Sequence, residues 1–120
     1  MRVGILDSGL MGGKLGTIFA RAGHKAGVVC AFNTVPSEVL FGIYEARRKA
    51  TRPSLVYCGD ESSSKGIAAA LIRDVGFDAV DAGPLRIARY TEPFALLVAQ
   101  LAYEGKGGPE LAYRFERFGR

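Results

Sequence analysis

The sequence predicts a single α/β domain, a reduced Rossmann-like unit with a mainly parallel sheet of about four strands and helices on both faces. Short apolar runs alternate four times with longer segments of helical periodicity, and glycines fall where those helices should stop. The length of 120 residues, 48% hydrophobic and 23% charged, suits one core in one domain, 1–120.

Val3-Gly4-Ile5-Leu6 reads as the first strand. The helix after it carries Met11, Leu15, Ile18, Phe19 and Ala22 on one face and stops at Gly23. Val28 to Phe32 is the second strand. Thr34 as N-cap and Pro36 in the first turn then open a helix to about Lys49, with Val39, Leu40, Ile43 and Ala46 inward. Leu55-Val56-Tyr57-Cys58 is the third strand and ends at Gly59-Asp60. The next helix places Ile67, Ala68, Leu71, Ile72 and Val75 on its inner face and ends at Gly76. Phe77 to Val80 is the fourth strand. A helical region then reaches Tyr103, interrupted or restarted at Thr91-Glu92-Pro93, because an interior proline lacks a donor and crowds the preceding turn. Beyond the Gly105–Pro109 linker, Leu111, Phe115 and Phe118 mark a short C-terminal helix.

Composition narrows the function classes. The longest apolar run, Phe94 to Ala99, is too short to span a bilayer, and the opening residues carry no secretion signal. A cytoplasmic protein without membrane partners is expected. Cys30 and Cys58 sit in apolar stretches; a disulfide between them is one reading, and reduced, buried thiols are the reading that a cytoplasmic setting favours. One histidine and no CxxC or HxxxH spacing leave a metal without ligands. The net charge of +4 suits an anionic ligand and is too diffuse to indicate nucleic acid. Arg114, Arg117 and Arg120, interleaved with Tyr113, Phe115 and Phe118, read as the solvated face of an amphipathic tail.

In open α/β sheets ligands bind beyond the C-terminal ends of strands. Those ends are Asp7-Ser8-Gly9, Asn33-Thr34, Gly59-Asp60 and Asp81-Ala82-Gly83. The first opens a glycine-rich helix start, Ser8-Gly9-Leu10-Met11-Gly12, where backbone N–H groups and the helix dipole can meet a pyrophosphate. In the dinucleotide pattern G-x-G-x-x-G the first glycine is here Asp7, whose charge opposes a pyrophosphate by about 1 kcal/mol when partly solvated. A second reading stands beside it: Asp7 or Ser8 caps the helix, and Gly9, Gly12 and Gly13 serve packing.

The run Gly4-Ile-Leu-Asp-Ser8-Gly9-Leu-Met-Gly12, with Leu15-Gly16 and Ala22-Gly23-His24, resembles the amino terminus of the NADP-dependent oxidoreductases that reduce the deazaflavin coenzyme F-420. The cytosolic domains of the six-transmembrane ferric reductases share that fold. Val28 to Thr34, with its Ala-Phe-Asn, resembles a later strand of the family. Cys58-Gly59-Asp60 and Asp81-Ala82-Gly83-Pro84-Leu85 resemble its carboxyl-terminal half, so the resemblance covers nearly the whole chain. It departs at Asp7, where the family has glycine, and at the junction after His24, where the family carries a large central block. The chain thus resembles an internally deleted member, with residues 1–24 and 28–120 rejoined.

The resemblance implies an NADP(H) pyrophosphate over Ser8, Gly9, Leu10, Met11 and Gly12, the nicotinamide near Asn33 and Thr34, and the electron acceptor near Gly83-Pro84-Leu85. Asn33 and Thr34 lie 21 and 22 residues beyond Gly12, where a ribose contact is also expected if their strand fills the vacated second position. Capping of the following helix is the third reading of this pair. His24 reads as a helix-end residue, and Tyr57 and Tyr90 as packing residues with a polar tip. Hydride transfer needs no protein nucleophile, and no catalytic residue is assigned.

Residues 94–103 are apolar nearly all round a helix, which demands burial on every side. A homo-oligomer built through this helix or through exposed sheet edges is expected. Two functions follow. One is an NADP(H)-binding oxidoreductase passing hydride between nicotinamide and a deazaflavin, flavin or similar acceptor. The other is a catalytically inactive, internally deleted remnant that folds and oligomerises.

Overall fold

A computed structural model of the chain describes residues 2–5 and 25–119. Its strands are β1 (Arg2–Ile5), β2 (Lys25–Cys30), β3 (Ser54–Gly59) and β4 (Asp78–Asp81), ordered β1-β2-β3-β4 in one sheet. β1 runs parallel to β2, with Arg2 opposite Lys25 and Ile5 opposite Val28. β3 runs parallel to β4, with Ser54 opposite Asp78 and Tyr57 opposite Asp81. The two pairs meet in a short antiparallel seam, Val29 opposite Gly59 and Cys30 opposite Cys58.

The sheet is therefore mixed rather than mainly parallel, and the connection after β2 explains why. The helix expected over Thr34–Lys49 is a 3₁₀ turn at Ser37–Val39 followed by α1 (Leu40–Glu45). Six helical residues rise about 9 Å, while the six residues of a strand span about 20 Å. The connection does not carry the chain back along the sheet, so β3 starts beyond the end of β2 and runs back until its last residues, Cys58 and Gly59, lie beside Cys30 and Val29. Thr34 does not cap this helix, whose N-cap position falls at Pro36.

α2 (Ser62–Val75) crosses from β3 to β4 and stops at Gly76, whose φ of 124° is open to glycine and strained for other residues. Its inner face is Ser64, Ala68, Ala69 and Ile72, while Ile67 and Leu71, expected inside, are exposed. Small residues face the sheet because the helix lies close to it. A Cβ on Gly27 would fall 1.8 Å from Ser64 Oγ. The core packs Val29, Ala31, Leu55 and Tyr57 against Ala68, Ala69, Ile72 and Phe77. Each fully buried large side chain there contributes about 1.5–3 kcal/mol relative to exposure.

Side chains alternate across a sheet, so Cys30 and Cys58 face the side opposite α2. There they lie under the 3₁₀ turn Leu85–Ile87 and α3 (Ala88–Ala99), with Thr91 Oγ1 4.0 Å from Cys30 Sγ. Helices thus cover both faces. α3 runs unbroken through Pro93, correcting the expected interruption; Glu92 and Pro93 are exposed, so the proline ring points to solvent while Thr91 beside them is buried. A π turn, Gln100–Glu104, follows it. Among the described residues no helix is long and apolar enough to cross a membrane.

The C-terminal segment is not helical. It lies along the half of β3 that β2 leaves uncovered. Tyr113 O accepts the Ser54 N–H at 2.7 Å, and the Phe115 N–H donates to Ser54 Oγ at 2.9 Å. Tyr113, Phe115 and Phe94 form an aromatic cluster, with the Tyr113 ring edge-on to Phe94 at 4.9 Å. The helical reading fails because partners distant in sequence supply what an isolated tail would seek in a helix.

Candidate functional site

The site grows out of the exit from β2. Ala31 is the last core residue of this strand's line, and Phe32 then turns the chain with a φ of 64°, rare for a residue with a side chain. The Phe32 ring packs edge-on to Phe77 at 6.3 Å, which holds the turn. Asn33 consequently faces outward and Thr34 inward.

Thr34 is fully buried, and its hydroxyl shares a 2.6 Å hydrogen bond with the Tyr113 hydroxyl. The same phenol oxygen accepts the Val56 N–H at 3.0 Å. Burial raises the Tyr113 hydroxyl above the ordinary tyrosine range despite its hydrogen bonds to Thr34 and Val56, so it remains a neutral donor and acceptor at neutral pH. Thr34 therefore fixes the loop, and Asn33 is the member of the pair that reaches solvent.

Asn33 opens onto a cleft of about 160 Å³ between the 33–37 turn and α3, floored by Ala95, Val98 and Ala99. Ser37 and Tyr103 stand at its rim, where the Tyr103 O–H donates to Glu38 Oε2 at 2.8 Å. That hydrogen bond holds the Glu38 carboxyl below its usual value and the Tyr103 hydroxyl above its own. The cleft combines an apolar floor with an amide and hydroxyls at its mouth. Its volume suits one ring carrying a polar substituent, and is well short of the roughly 300–1,000 Å³ of a site that encloses a whole drug-sized ligand.

A second polar cluster caps the C-terminal ends of β3 and β4. Lys65 Nζ lies 2.8 Å from Asp81 Oδ1 and donates to Gly83 O at 3.2 Å. Asp81 Oδ1 also accepts the Gly83 N–H, and Asp60 Oδ1 accepts the Leu85 N–H, both at 2.9 Å. Burial alone would raise the Asp81 carboxyl, but the Lys65 and Gly83 hydrogen bonds and the lysine charge together lower it. Gly83, with a φ of 113°, makes the turn. The Gly83-Pro84-Leu85 loop is thereby braced from β3 and α2.

The two ends communicate through the seam. Cys30 Sγ is 3.7 Å from Asn33 Oδ1, and Cys58 Sγ is 3.9 Å from Leu85 O. Both thiols are free and buried. Asn33 and the Gly83–Leu85 loop are thus joined across the sheet by side chains that β2 and β3 hold face to face. The glycine turn, Asp7 through Gly12 with Ser8, Gly9, Leu10 and Met11, lies outside the described residues, as does His24. Tyr57 is buried in the core and Tyr90 is exposed. Among the described residues no group of three or more His, Cys, Asp or Glu side chains could hold a metal.

Sequence reasoning missed Tyr113, Lys65 and the Tyr103–Glu38 pair as residues that shape the site. For Tyr113 a signal was present: Tyr113-Arg114-Phe115-Glu116 alternates apolar and charged residues, the pattern of an extended segment with one covered face. The Lys65–Asp81 and Tyr103–Glu38 pairings join distant residues and leave no local signature.

No protein-family model matches the chain, and no curated protein matches it. Among solved structures it is similar to a protein of Arthrobacter sp. FB24 described as a "putative F420 dependent NADP-reductase", with a TM-score of 0.65 and 23% identity over 86% of this chain and 46% of that one. A hypothetical protein of Sinorhizobium meliloti aligns at 28% identity, with a TM-score of 0.47, over 84% of this chain and 43% of that one. The chain therefore spans about half the length of the solved structures it matches. The first likeness shows a shared α/β fold.

Proposed function

We propose that this chain is an NADP(H)-binding, oxidoreductase-like protein. The observation that carries the reading is the likeness of fold, over 86% of the chain, to a structure described as a reductase of this type. The cleft beside Asn33 adds support. Its volume and polar rim fit the nicotinamide end, with the exposed Asn33 amide complementary to a carboxamide and Thr34 positioning the loop. The pyrophosphate is assigned to Ser8, Gly9, Leu10, Met11 and Gly12, whose small, glycine-rich sequence suits backbone N–H contacts to phosphate. The bound cofactor supplies the hydride chemistry, and the chain's own residues orient the ring and exclude water from one of its faces. A deazaflavin, flavin or similar acceptor would approach from the Gly83-Pro84-Leu85 side, in a cytoplasmic setting.

Calorimetric titration of NADPH and NADH into the purified chain tests the proposal. Micromolar NADPH binding, abolished by Gly9→Asp and weakened by Asn33→Ala, is the expected result. Absence of binding by either nucleotide at millimolar concentration, in protein with native circular dichroism, overturns it.

A second reading, a non-catalytic remnant that self-associates, is favoured by one feature. Leu96, Leu97 and Leu101 are 73%, 54% and 54% exposed along α3 and the π turn, so a segment expected to be buried all round is left half uncovered. A second copy of the chain laid along this face would cover it. Well-folded oligomers that bind neither nucleotide would select this reading.

A further inference from the structure

The Cys30–Cys58 pair plays no part in the cofactor reading, and its geometry carries a separate conclusion. Directly opposed residues of an antiparallel pair have Cα atoms about 4.5–5.5 Å apart, inside the roughly 4.4–6.8 Å window of disulfides. Cys30 and Cys58 are directly opposed in register, and both side chains project to the face under α3. They are 4% and 0% exposed. Each thiol touches a different working part: Cys30 reaches Asn33 and Thr91, and Cys58 reaches Leu85 O. Among the described residues the seam they occupy holds two residue pairs, and it is the strand pairing that joins the β1/β2 half of the sheet to the β3/β4 half.

We propose that Cys30 and Cys58 are a redox modification site, forming a cross-strand disulfide that covalently staples this seam in response to a two-electron oxidant, hydrogen peroxide. One thiolate attacks the peroxide O–O bond, giving a sulfenic acid and releasing hydroxide. The opposed thiol attacks the sulfenic sulfur, the S–S bond forms, and water leaves. The two sulfurs together lose two electrons and two protons, and the peroxide becomes two waters. Burial, followed by the neighbouring Cys30 thiol, pushes the Cys58 thiol up to about 11, which keeps the reduced pair unreactive until the cover of α3 loosens. Bond formation draws both sulfurs from their contacts with Asn33 and Leu85, so the oxidation state is felt at both ends of the candidate site.

The test is peroxide treatment of the native, full chain under non-denaturing conditions, followed by intact mass and non-reduced peptide mapping. The expected product is a monomeric chain lighter by two hydrogens, with the Cys30 and Cys58 peptides linked, restored to the original mass by dithiothreitol. It should resist thermal unfolding more than the reduced form, and Cys30→Ser or Cys58→Ser should abolish the linked peptide. Two titratable thiols remaining after treatment, oxygen adducts on the separate cysteines, or linkage only between two chains would each overturn the proposal. None of these readouts depends on nucleotide binding.

Discussion

The Tyr113 hydroxyl stands 2.6 Å from Thr34 Oγ1 and 3.0 Å from the Val56 nitrogen, substituting for a strand partner where β2 turns away from β3. A residue 57 positions after Val56 thereby completes the edge of the central strand and clamps the loop that presents Asn33. The C-terminal segment is a structural part of the candidate site.

Tyr113→Phe leaves the buried Val56 N–H and the Thr34 hydroxyl without this partner. A loss of about 1–3 kcal/mol in urea unfolding is expected. Thr34→Val should be destabilising through the same bond, so the double variant should cost less than the sum of the two. Strict additivity would show that the hydroxyls act independently.

Gly27 faces Ser64 where α2 crosses β2, and a Cβ there would lie 1.8 Å from Ser64 Oγ and 2.6 Å from Ser64 Cβ. Gly27→Ala should therefore destabilise the fold by about 1–3 kcal/mol, the usual cost of overpacking. Ser64→Gly in the same chain should recover part of that loss. Equal stability of Gly27→Ala and the parent in thermal unfolding would contradict the close approach of α2.

Asp81 has a lowered carboxyl pKa through Lys65 and Gly83, opposed by burial. A lowered folded-state value means that its stabilisation is complete above the unfolded value of about 3.9 and is lost as pH falls through the folded value. Asp81→Asn should lower the melting temperature at neutral pH and flatten its decline below about pH 4. The carboxylate is half exposed, so solvent screening keeps the effect small. An acid limb of unchanged steepness in the variant would remove Asp81 from the account.

Leu97 lies in the exposed apolar stretch between Leu96 and Leu101. Leu97→Glu should leave the melting temperature of an isolated chain within about 0.5 kcal/mol equivalent, as for a surface substitution. If copies associate through α3, the same change should shift light-scattering mass toward one chain. A parent that is monomeric at high concentration excludes this association face.

How much was legible in the sequence depended on range. The α/β class, the stop at Gly76, and β3 as a buried strand all follow from local periodicity and from glycine's tolerance of positive φ. Asn33 and Thr34 were found together as a strand end, but their separate fates were not. One faces the cleft and the other is sealed on Tyr113, because inward or outward placement was decided by the turn at Phe32. Ile67 and Leu71 were misplaced for a similar reason: an apolar stripe says which face can be buried, while the closeness of α2 to Gly27 required small residues there instead.

By itself, then, the sequence determined the kind and order of the elements from β2 to α3, since backbone propensity, periodicity and chain punctuation act over a few residues. Tertiary structure alone decided that two parallel strand pairs meet in an antiparallel seam, that the tail lies extended on β3, and that Cys30 faces Cys58. Those outcomes rest on which unsatisfied edge and which apolar face meet across dozens of residues. That choice is made by competition among long-range pairings, and no local pattern records it.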